Sequence, residues 1–402
     1  MSRKKFKFLM RTTFNTLFFS AFIFSSLPCG GKERGRIRDY GIEIGILSPG
    51  RWNSITDVDG VLVGHKTLIC GDSIRTGVTA ILPHDGNIFM EKVPGGVYVG
   101  NGFGKLVGTT QIEELGEIET PIVLTNTLSV SVAMKALVEY TIRQKGNEYV
   151  RSVNAVVGET NDGYLNEIRS ISVKEEDVWD AIDSASTGVV EEGCVGAGTG
   201  TICLGFKGGI GTSSRVLPPD LGGWTVGVLV QTNFGGILRV NGAPVGRELG
   251  IHYLKGRITR KKSGSCMIII ATDAPLSPRN LKRLASRAVL GIARCGGFCS
   301  NGSGDYVIAF STNPDCRIKY RSKQSVDLVP QLRNDSISPL FLAVVEATEE
   351  AILNSLFSAT DMDGRSGHRV KAIPIDRVIE ICKKYNVLDW NDKLPSLSEN
   401  VN

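Results

Sequence analysis

A glycine and a serine that precede a strongly apolar segment could form a self-cleaving peptide bond. Gly264 and Ser265 stand directly before residues 267–271, whose length and flanking Gly, Ser and Pro residues predict a buried strand. Glycine allows strained backbone conformations and lets a nucleophile approach its carbonyl group. Cleavage between the two residues would make Ser265 a new N-terminus, whose own amine could serve as general base. The alternative is an ordinary loop serine before a core strand.

Small polar residues also occur at the ends of two other predicted strands. Asn233 follows the apolar segment 224–231, and a side-chain amide there could stabilise a developing oxyanion by roughly 3 to 4 kcal/mol. Ser303 and Asp305 lie two positions apart in a Gly-rich turn that enters segment 306–312. They could relay a hydrogen bond and supply negative charge near an ammonium group.

A further pair follows the predicted strand 153–157. Glu159 and Asn161 are again two positions apart, so both can face the same side of an extended backbone. Each polar residue also has a structural interpretation: Asn233 as a turn residue, Asp305 as a strand cap and Glu159 as a solvated carboxylate. Their shared position at the ends of apolar strands favours one common site.

Other chemistries are poorly supported by the sequence. The Gly-rich residues 196–200 follow an acidic segment and precede β-prone residues, whereas a dinucleotide-binding loop needs a strand before it and a helix after it. No GxSxG motif is present, and Cys295 and Cys299 lack further partners at zinc spacing. We therefore expect neither a metal nor an organic cofactor. The net charge is only +5 and no basic stripe with aromatics follows the N-terminus, which argues against nucleic acid as a partner.

The N-terminus has the composition of an export signal. Five cations within the first eleven residues precede the apolar run 14–27, which predicts a signal peptide over residues 1–28 and a linker over 29–39. A permanent transmembrane helix is the weaker interpretation, because such a helix needs about 20 apolar residues. Cys29 could become the lipidated first residue of a lipoprotein, or the signal could simply be removed. Both alternatives place the protein outside the cytoplasm, either periplasmic or as a membrane-anchored lipoprotein.

The remaining chain predicts a single domain over residues 40–388, cleaved between 264 and 265, and a flexible tail over 389–402. Strands and helices are mixed without regular βαβ alternation, which favours layered sheets covered by helices over a doubly wound sheet. Helix 339–357 is expected to be amphipathic with an acidic patch. The predicted strands are 55–65, 78–82, 121–128, 153–157, 201–206, 224–231, 267–271 and 306–312; the predicted helices are 129–145, 174–185, 277–294, 339–357 and 376–385.

Several long motifs together resemble one known family. VQTNFGG, SGSCMIIIATDAPLSPRNLKRLASRAVLGIAR, NGSGDYVIAFST and FLAVVEATEEAILNSL followed by GHRVKAIPIDRV are similar to the self-processing serine aminopeptidases. That family includes the L-aminopeptidase/D-amino-acid esterase-amidase and the β-aminopeptidases, and the resemblance covers residues 39–385. It implies a four-layer α/β/β/α sandwich that resembles N-terminal-nucleophile hydrolases with different connectivity. It also implies that the two fragments stay associated and form a homo-oligomer, a tetramer or larger.

The resemblance implies a role for each polar residue described above. The nucleophile corresponds to Ser265, the oxyanion-hole asparagine to Asn233, and the glutamate that binds the substrate's amino group to Glu159. The supporting serine and acidic residue correspond to Ser303 and Asp305. The implied substrates are peptides and amino-acid amides or esters.

Asn161 departs from the pattern, because some members have a tyrosine there that contributes to the oxyanion site. An amide can also donate to an oxyanion, so Asn161 stays a candidate substrate-binding residue.

We expect a self-processing serine aminopeptidase that releases N-terminal amino acids through an acyl-enzyme on Ser265. Two alternatives stay open. One is an acyltransferase of the ornithine acetyltransferase type, although those proteins resemble a threonine-nucleophile pattern. The other is a non-catalytic exported lipoprotein that acts as a binding module.

Overall fold

Two stacked β-sheets with helices on their outer faces form the protein, seen in a computed structural model that describes residues 34–255 and 264–389. The strands are β1 Leu62–Cys70, β2 Ile74–Leu82, β3 Glu91–Gly102, β4 Leu106–Val107, β5 Glu117–Ile118, β6 Ile122–Asn126, β7 Val156–Thr160, β8 Ile202–Cys203, β9 Phe206–Lys207, β10 Ile210–Val216, β11 Thr225–Asn233, β12 Ser265–Thr272, β13 Gly304–Ser311, β14 Ile318–Lys319, β15 Met362–Asp363 and β16 Arg369–Val370. The helices are α1 Thr109–Leu115, α2 Val130–Arg143, α3 Glu175–Asp183, α4 Val245–Glu248, α5 Pro278–Arg294, α6 Ser338–Phe357 and α7 Ile375–Lys384.

The larger sheet has the strand order β10-β11-β12-β13-β3-β14, with β5 paired to β3. Within it, β11 runs antiparallel to β12, whereas β12 and β13 are parallel. The smaller sheet has the order β1-β2-β6-β7-β4, and its central pair β6 and β7 is parallel. Parallel central strands need covered faces on both sides, which the helices and the second sheet provide.

Three apolar layers hold the sheets and helices together. Ile269 of β12 packs between the sheets with Leu124 of β6. Ile268 and Ile270 point to the other face, where α5, α6 and α7 cover the larger sheet. Helices α2 and α3 cover the outer face of the smaller sheet. Successive side chains of a strand point to opposite faces, so a strand buried on both faces reads as a continuous apolar run. The predicted four-layer α/β/β/α sandwich is confirmed.

One prediction about the N-terminal half is wrong, and one strand there was not predicted. Residues 55–65 are not one strand, because Ile55–Asp57 forms a 3₁₀ turn in which the Asp57 carboxylate accepts from main-chain N–H groups. Such local side-chain bonds compete with strand pairing. The Gly-rich segment 95–108 contains most of strand β3. A Cβ at Gly96 would lie 2.4 Å from the main-chain nitrogen of Lys282, so glycine lets α5 pack directly on the strand.

The ends of the chain lie outside this description. The predicted signal peptide, Cys29 and the first part of the linker fall before residue 34, and all but the first residue of the predicted tail falls after residue 389. Within the described ranges, no helix combines the length and the apolar character that crossing a membrane requires.

The acidic residues of α6 are buried, although an amphipathic helix would expose them. Glu346, Glu349 and Glu350 are each at most 5% exposed. The guanidinium group of the fully buried Arg215 lies 2.7 Å from Glu350 and 3.1 Å from Glu346. Burial opposes ionisation of Glu350, but Arg215 and Arg38 outweigh it and hold the pKa of that carboxyl below its ordinary value. These ion pairs fasten α6 to the larger sheet.

Replacing Arg215 with methionine should destabilise the fold strongly. The variant leaves buried carboxylates without their main cation, and breaking a buried pair in this way costs about 3–5 kcal/mol. Urea unfolding measures the loss. Arg377→Met is the matched control, since Arg377 pairs with Glu380 on the surface, where such a pair contributes about 0–1 kcal/mol. Equal stability of the Arg215→Met variant and the wild type would contradict this account.

Candidate active site

Three neighbouring strands bring the predicted catalytic residues to one edge of the larger sheet. Ser265 begins β12, Gly304 begins β13 and Asn233 ends β11. Because β12 and β13 are parallel and β11 is antiparallel to them, two strand starts and one strand end meet at this edge. The ladder pairs Ser265 with Asn233 on one side and with Gly304 on the other. Ser265 and Asn233 are 4% and 6% exposed.

The peptide bond between Gly264 and Ser265 lies in a polarising environment. The carbonyl oxygen of Gly264 accepts hydrogen bonds from the Ser265 hydroxyl at 2.6 Å and from the Gly304 N–H at 3.2 Å. The same N–H lies 3.3 Å from the Ser265 Oγ atom. A main-chain donor on the carbonyl oxygen stabilises the negative charge that develops there during nucleophilic attack. The structure thus brings the predicted nucleophile, the carbonyl group of the predicted cleavage site and a main-chain donor together in one small group of atoms.

The side-chain amide of Asn233 is held at both ends. Its oxygen accepts from the Ile202 N–H at 2.9 Å, and its nitrogen donates to the carbonyl oxygen of Asn161 at 2.9 Å. These partners fix which end of the amide is the donor. The amide nitrogen carries two hydrogens, so a second N–H is present for an oxyanion.

Asn161 meets Asn233 through its main chain. Its side chain is exposed, and the side-chain oxygen accepts from the Gly163 N–H at 3.1 Å. The link between the Asn161 carbonyl and Asn233 joins the end of β7 in the smaller sheet to the end of β11 in the larger one. Strand β7 also approaches β12 directly, because a Cβ at Gly158 would lie 2.4 Å from the Met267 methyl group.

Ser303 and Asp305 form a buried pair beside Gly304. The Ser303 hydroxyl donates to the Asp305 carboxyl at 2.8 Å, and both residues are 1% exposed. Burial raises the pKa of Asp305, while the bond from Ser303 opposes this shift. The amide of Asn101 donates to the carbonyl oxygens of Ser300 and Ser303 and so holds the turn that carries the pair.

Glu159 lies within β7 rather than in a solvated loop. Its carboxylate accepts from the Lys105 N–H at 3.0 Å and from the Thr127 hydroxyl. Burial raises the pKa of Glu159, and the bonds from Thr127 and Lys105 oppose this shift. The carboxylate is therefore shielded from water but held by donors, as a binding site for a cation requires.

Sequence reasoning missed several groups that complete the site. The N–H groups of Gly304 and Ile202 belong to the main chain and give no side-chain signal. Thr127 carried one usable signal, since it lies near the C-terminal end of the predicted strand 121–128, and the other candidate polar residues also lie at strand ends. The sequence cannot show that β6 and β7 are adjacent, with Thr125 opposite Glu159.

The layered fold and a serine at the start of a central strand define a serine hydrolase of the N-terminal-nucleophile type. The model of peptidase family S58 matches residues 53–370. The β-peptidyl aminopeptidase BapA of Sphingosinicella microcystinivorans is 42% identical, with 92% of this chain and 98% of the relative covered. The chain therefore belongs to peptidase family S58.

Solved structures agree with this assignment. A β-aminopeptidase from a Burkholderia species has a TM-score of 0.80 at 45% identity, covering 87% of this chain and 99% of its own. The L-aminopeptidase D-Ala-esterase/amidase from Ochrobactrum anthropi, described as a variant of the Ntn hydrolase fold, has a TM-score of 0.80 at 37% identity, covering 88% and 99%. The protein is a serine aminopeptidase, and neither the acyltransferase nor the non-catalytic binding module is favoured.

Replacing Gly264 with alanine should slow self-cleavage. The added Cβ would lie 2.9 Å from the Cα of Phe234 and 3.2 Å from the carbonyl oxygen of Asn233, both main-chain atoms that cannot move aside easily. Overpacking costs about 1–3 kcal/mol, which would slow the reaction by about 5- to 150-fold if it acts on the transition state. The fraction of uncut chain over time, measured by intact mass, reports the rate. Gly235→Ala is the control, because its Cβ would meet no atom within 4 Å. Equal cleavage rates in both variants would refute the close-contact argument.

Proposed function

We propose that Ser265 is the nucleophile of both self-cleavage and peptide hydrolysis. The observation that carries this proposal is the Ser265 hydroxyl on the Gly264 carbonyl group, with the Gly304 N–H as second donor. The Ser265 Oγ atom attacks the Gly264 carbonyl carbon, the peptide C–N bond breaks as an ester forms, and the hydroxyl proton passes to the departing nitrogen, which becomes the free amine of Ser265. Water then hydrolyses this ester to the Gly264 carboxylate and restores the Ser265 hydroxyl.

In the mature enzyme, the free amine of Ser265 takes the proton from its own hydroxyl as that oxygen attacks the substrate carbonyl. The second N–H of Asn233 stabilises the oxyanion. Asn161 lies beside Asn233, whose amide donates to the Asn161 main-chain carbonyl oxygen. The Asp305 carboxylate, which accepts a hydrogen bond from Ser303, supplies negative charge near the Ser265 ammonium that forms. The amine then returns its proton to the leaving group, and water releases the acyl group from Ser265.

Glu159 is proposed to bind the ammonium group of the substrate's first residue. An ionised carboxylate in a buried site attracts a cation more strongly than one in water. Because burial raises the pKa of Glu159, acidification neutralises it at a higher pH than an ordinary glutamate. Activity should accordingly fall on the acidic side as Glu159 becomes protonated.

The proposed substrate class is peptides and amides that carry an N-terminal β-amino acid. The names of two relatives support this choice, the β-peptidyl aminopeptidase at 42% identity and the β-aminopeptidase at 45% identity. A β-amino acid separates its amine from its carbonyl group by one additional methylene. The proposal therefore requires that the Glu159 carboxylate and the Ser265 Oγ atom are separated by a distance that fits this longer spacing.

We also propose that the protein is exported as a periplasmic protein or a lipoprotein anchored through Cys29. The five N-terminal cations and the apolar run 14–27 support export. A homo-oligomer of cleaved chains is proposed from the family resemblance alone.

Replacing Asn233 with alanine should lower kcat about 10²- to 10³-fold, the loss that follows removal of one oxyanion donor. The measurement uses β-alanyl and L-alanyl p-nitroanilides with the cleaved enzyme. Wild type should hydrolyse the β-alanyl compound faster and should not hydrolyse its N-acetylated form, which has no ammonium for Glu159.

The exposed Asn334, which contacts Arg279 and Arg283 on α5, provides the matched control as Asn334→Ala. Its kcat should equal that of wild type. An Asn233→Ala enzyme with wild-type kcat would refute the oxyanion role. Faster hydrolysis of the L-alanyl compound would refute the proposed substrate class.

A further inference from the structure

We infer that Thr127 is a positioning residue that orients the Glu159 carboxylate toward the substrate's ammonium group, an inference that rests on the proposed role of Glu159. The two oxygens of the carboxylate have different partners. One accepts from the Lys105 N–H at 3.0 Å, and the other accepts from the Thr127 hydroxyl. The main-chain donor fixes one oxygen, so the hydroxyl decides the rotation of the carboxylate plane.

The structure around Thr127 holds its hydroxyl in place. Thr127 follows β6, and β6 is parallel and adjacent to β7, which carries Glu159. The buried side chain of Asn126 accepts from the N–H groups of Leu128 and Ser129, both at 3.1 Å. It also donates to the Thr76 hydroxyl at 2.8 Å. These bonds hold the main chain on both sides of Thr127, which fixes the position from which its hydroxyl reaches the carboxylate.

The opposite side of the carboxylate is equally confined. A Cβ at Gly104 would lie 3.0 Å from a Glu159 oxygen and 3.0 Å from the Tyr306 ring. A carboxylate has about four lone-pair positions, and the two donors occupy two of them. Among the described residues no further donor is bonded to the carboxylate, so the other positions can accept an ammonium group. Thr127 thus prepares the site before the substrate binds.

Loss of the hydroxyl has a defined electrostatic consequence. A buried carboxylate with one donor fewer is less stable when ionised, so it is protonated at a higher pH. Within the described residues, the titratable groups whose charges act on or are acted on by Glu159 are Lys105, Asp162 and Tyr306. The freed amine of Ser265 also titrates in the cleaved enzyme. Thr127→Val replaces none of these groups, so a difference between the wild-type and variant profiles is attributed to the hydroxyl.

The test compares wild type, Thr127→Val and Thr127→Ser as full, self-cleaved chains on β-alanyl p-nitroanilide. Thr127→Val removes only the hydroxyl and should raise KM about ten-fold, the size expected for one hydrogen bond to a charged group. It should also move the acidic limb of the kcat/KM profile to higher pH. Thr127→Ser should restore both values. Propionyl p-nitroanilide, which lacks the amine, should be as poor a substrate for Thr127→Val as it is for wild type.

Each outcome is decisive when Glu159→Gln is measured alongside. A Thr127→Val profile and KM equal to wild type, with Glu159→Gln impaired, would overturn the inference but leave the role of Glu159 intact. If Glu159→Gln is also unimpaired, the proposed role of Glu159 is wrong, and the inference about Thr127 is wrong with it. A purely structural role would lower the midpoint of thermal unfolding and leave the acidic limb in place, which also overturns the inference. Thr127→Ala replaces the valine variant if that chain does not fold.

Discussion

Ser265 and Gly304 are partners in the parallel ladder between β12 and β13, and the candidate active site depends on this pairing. It places the Gly304 N–H next to both the Gly264 carbonyl oxygen and the Ser265 Oγ atom. A one-residue slip of either strand would turn every side chain to the opposite face, and both close-packed apolar layers would then have to repack. The hydrophobic core and the catalytic geometry are therefore held by the same register.

The same pairing explains why the site lies where the two sheets meet. Asn233 reaches its place through the antiparallel ladder of β11 and β12, while Glu159 comes from the other sheet. The hydrogen bond from Asn233 to the Asn161 carbonyl ties these two contributions together at 2.9 Å. The proposed substrate-binding residue of one sheet and the proposed nucleophile of the other are thus linked through a single amide. Water is excluded from the buried residues of this junction, which strengthens each charged interaction there.

Much of this arrangement could be predicted from the sequence. The apolar run after Ser265 indicated a strand buried on both faces, and the polar residues at strand ends indicated where chemistry could occur. The sequence could not show which strands are neighbours, because pairing joins residues as distant as Asn126 and Thr160 or Ser265 and Gly304. The sequence also did not reveal the main-chain donors or the strand β3 in the Gly-rich segment 95–108. Both depend on the close approach of two backbones, which leaves no side-chain pattern.

The central claim is that Ser265 cleaves its own chain and becomes the N-terminal nucleophile. Intact mass with N-terminal sequencing, applied to wild type and to Ser265→Ala, tests it most directly. The account predicts that wild type yields a C-terminal fragment beginning Ser265-Cys266-Met267, while the variant remains one uncut chain. A folded wild-type chain that stays uncut, or a Ser265→Ala chain that is cleaved at the same bond, would contradict it.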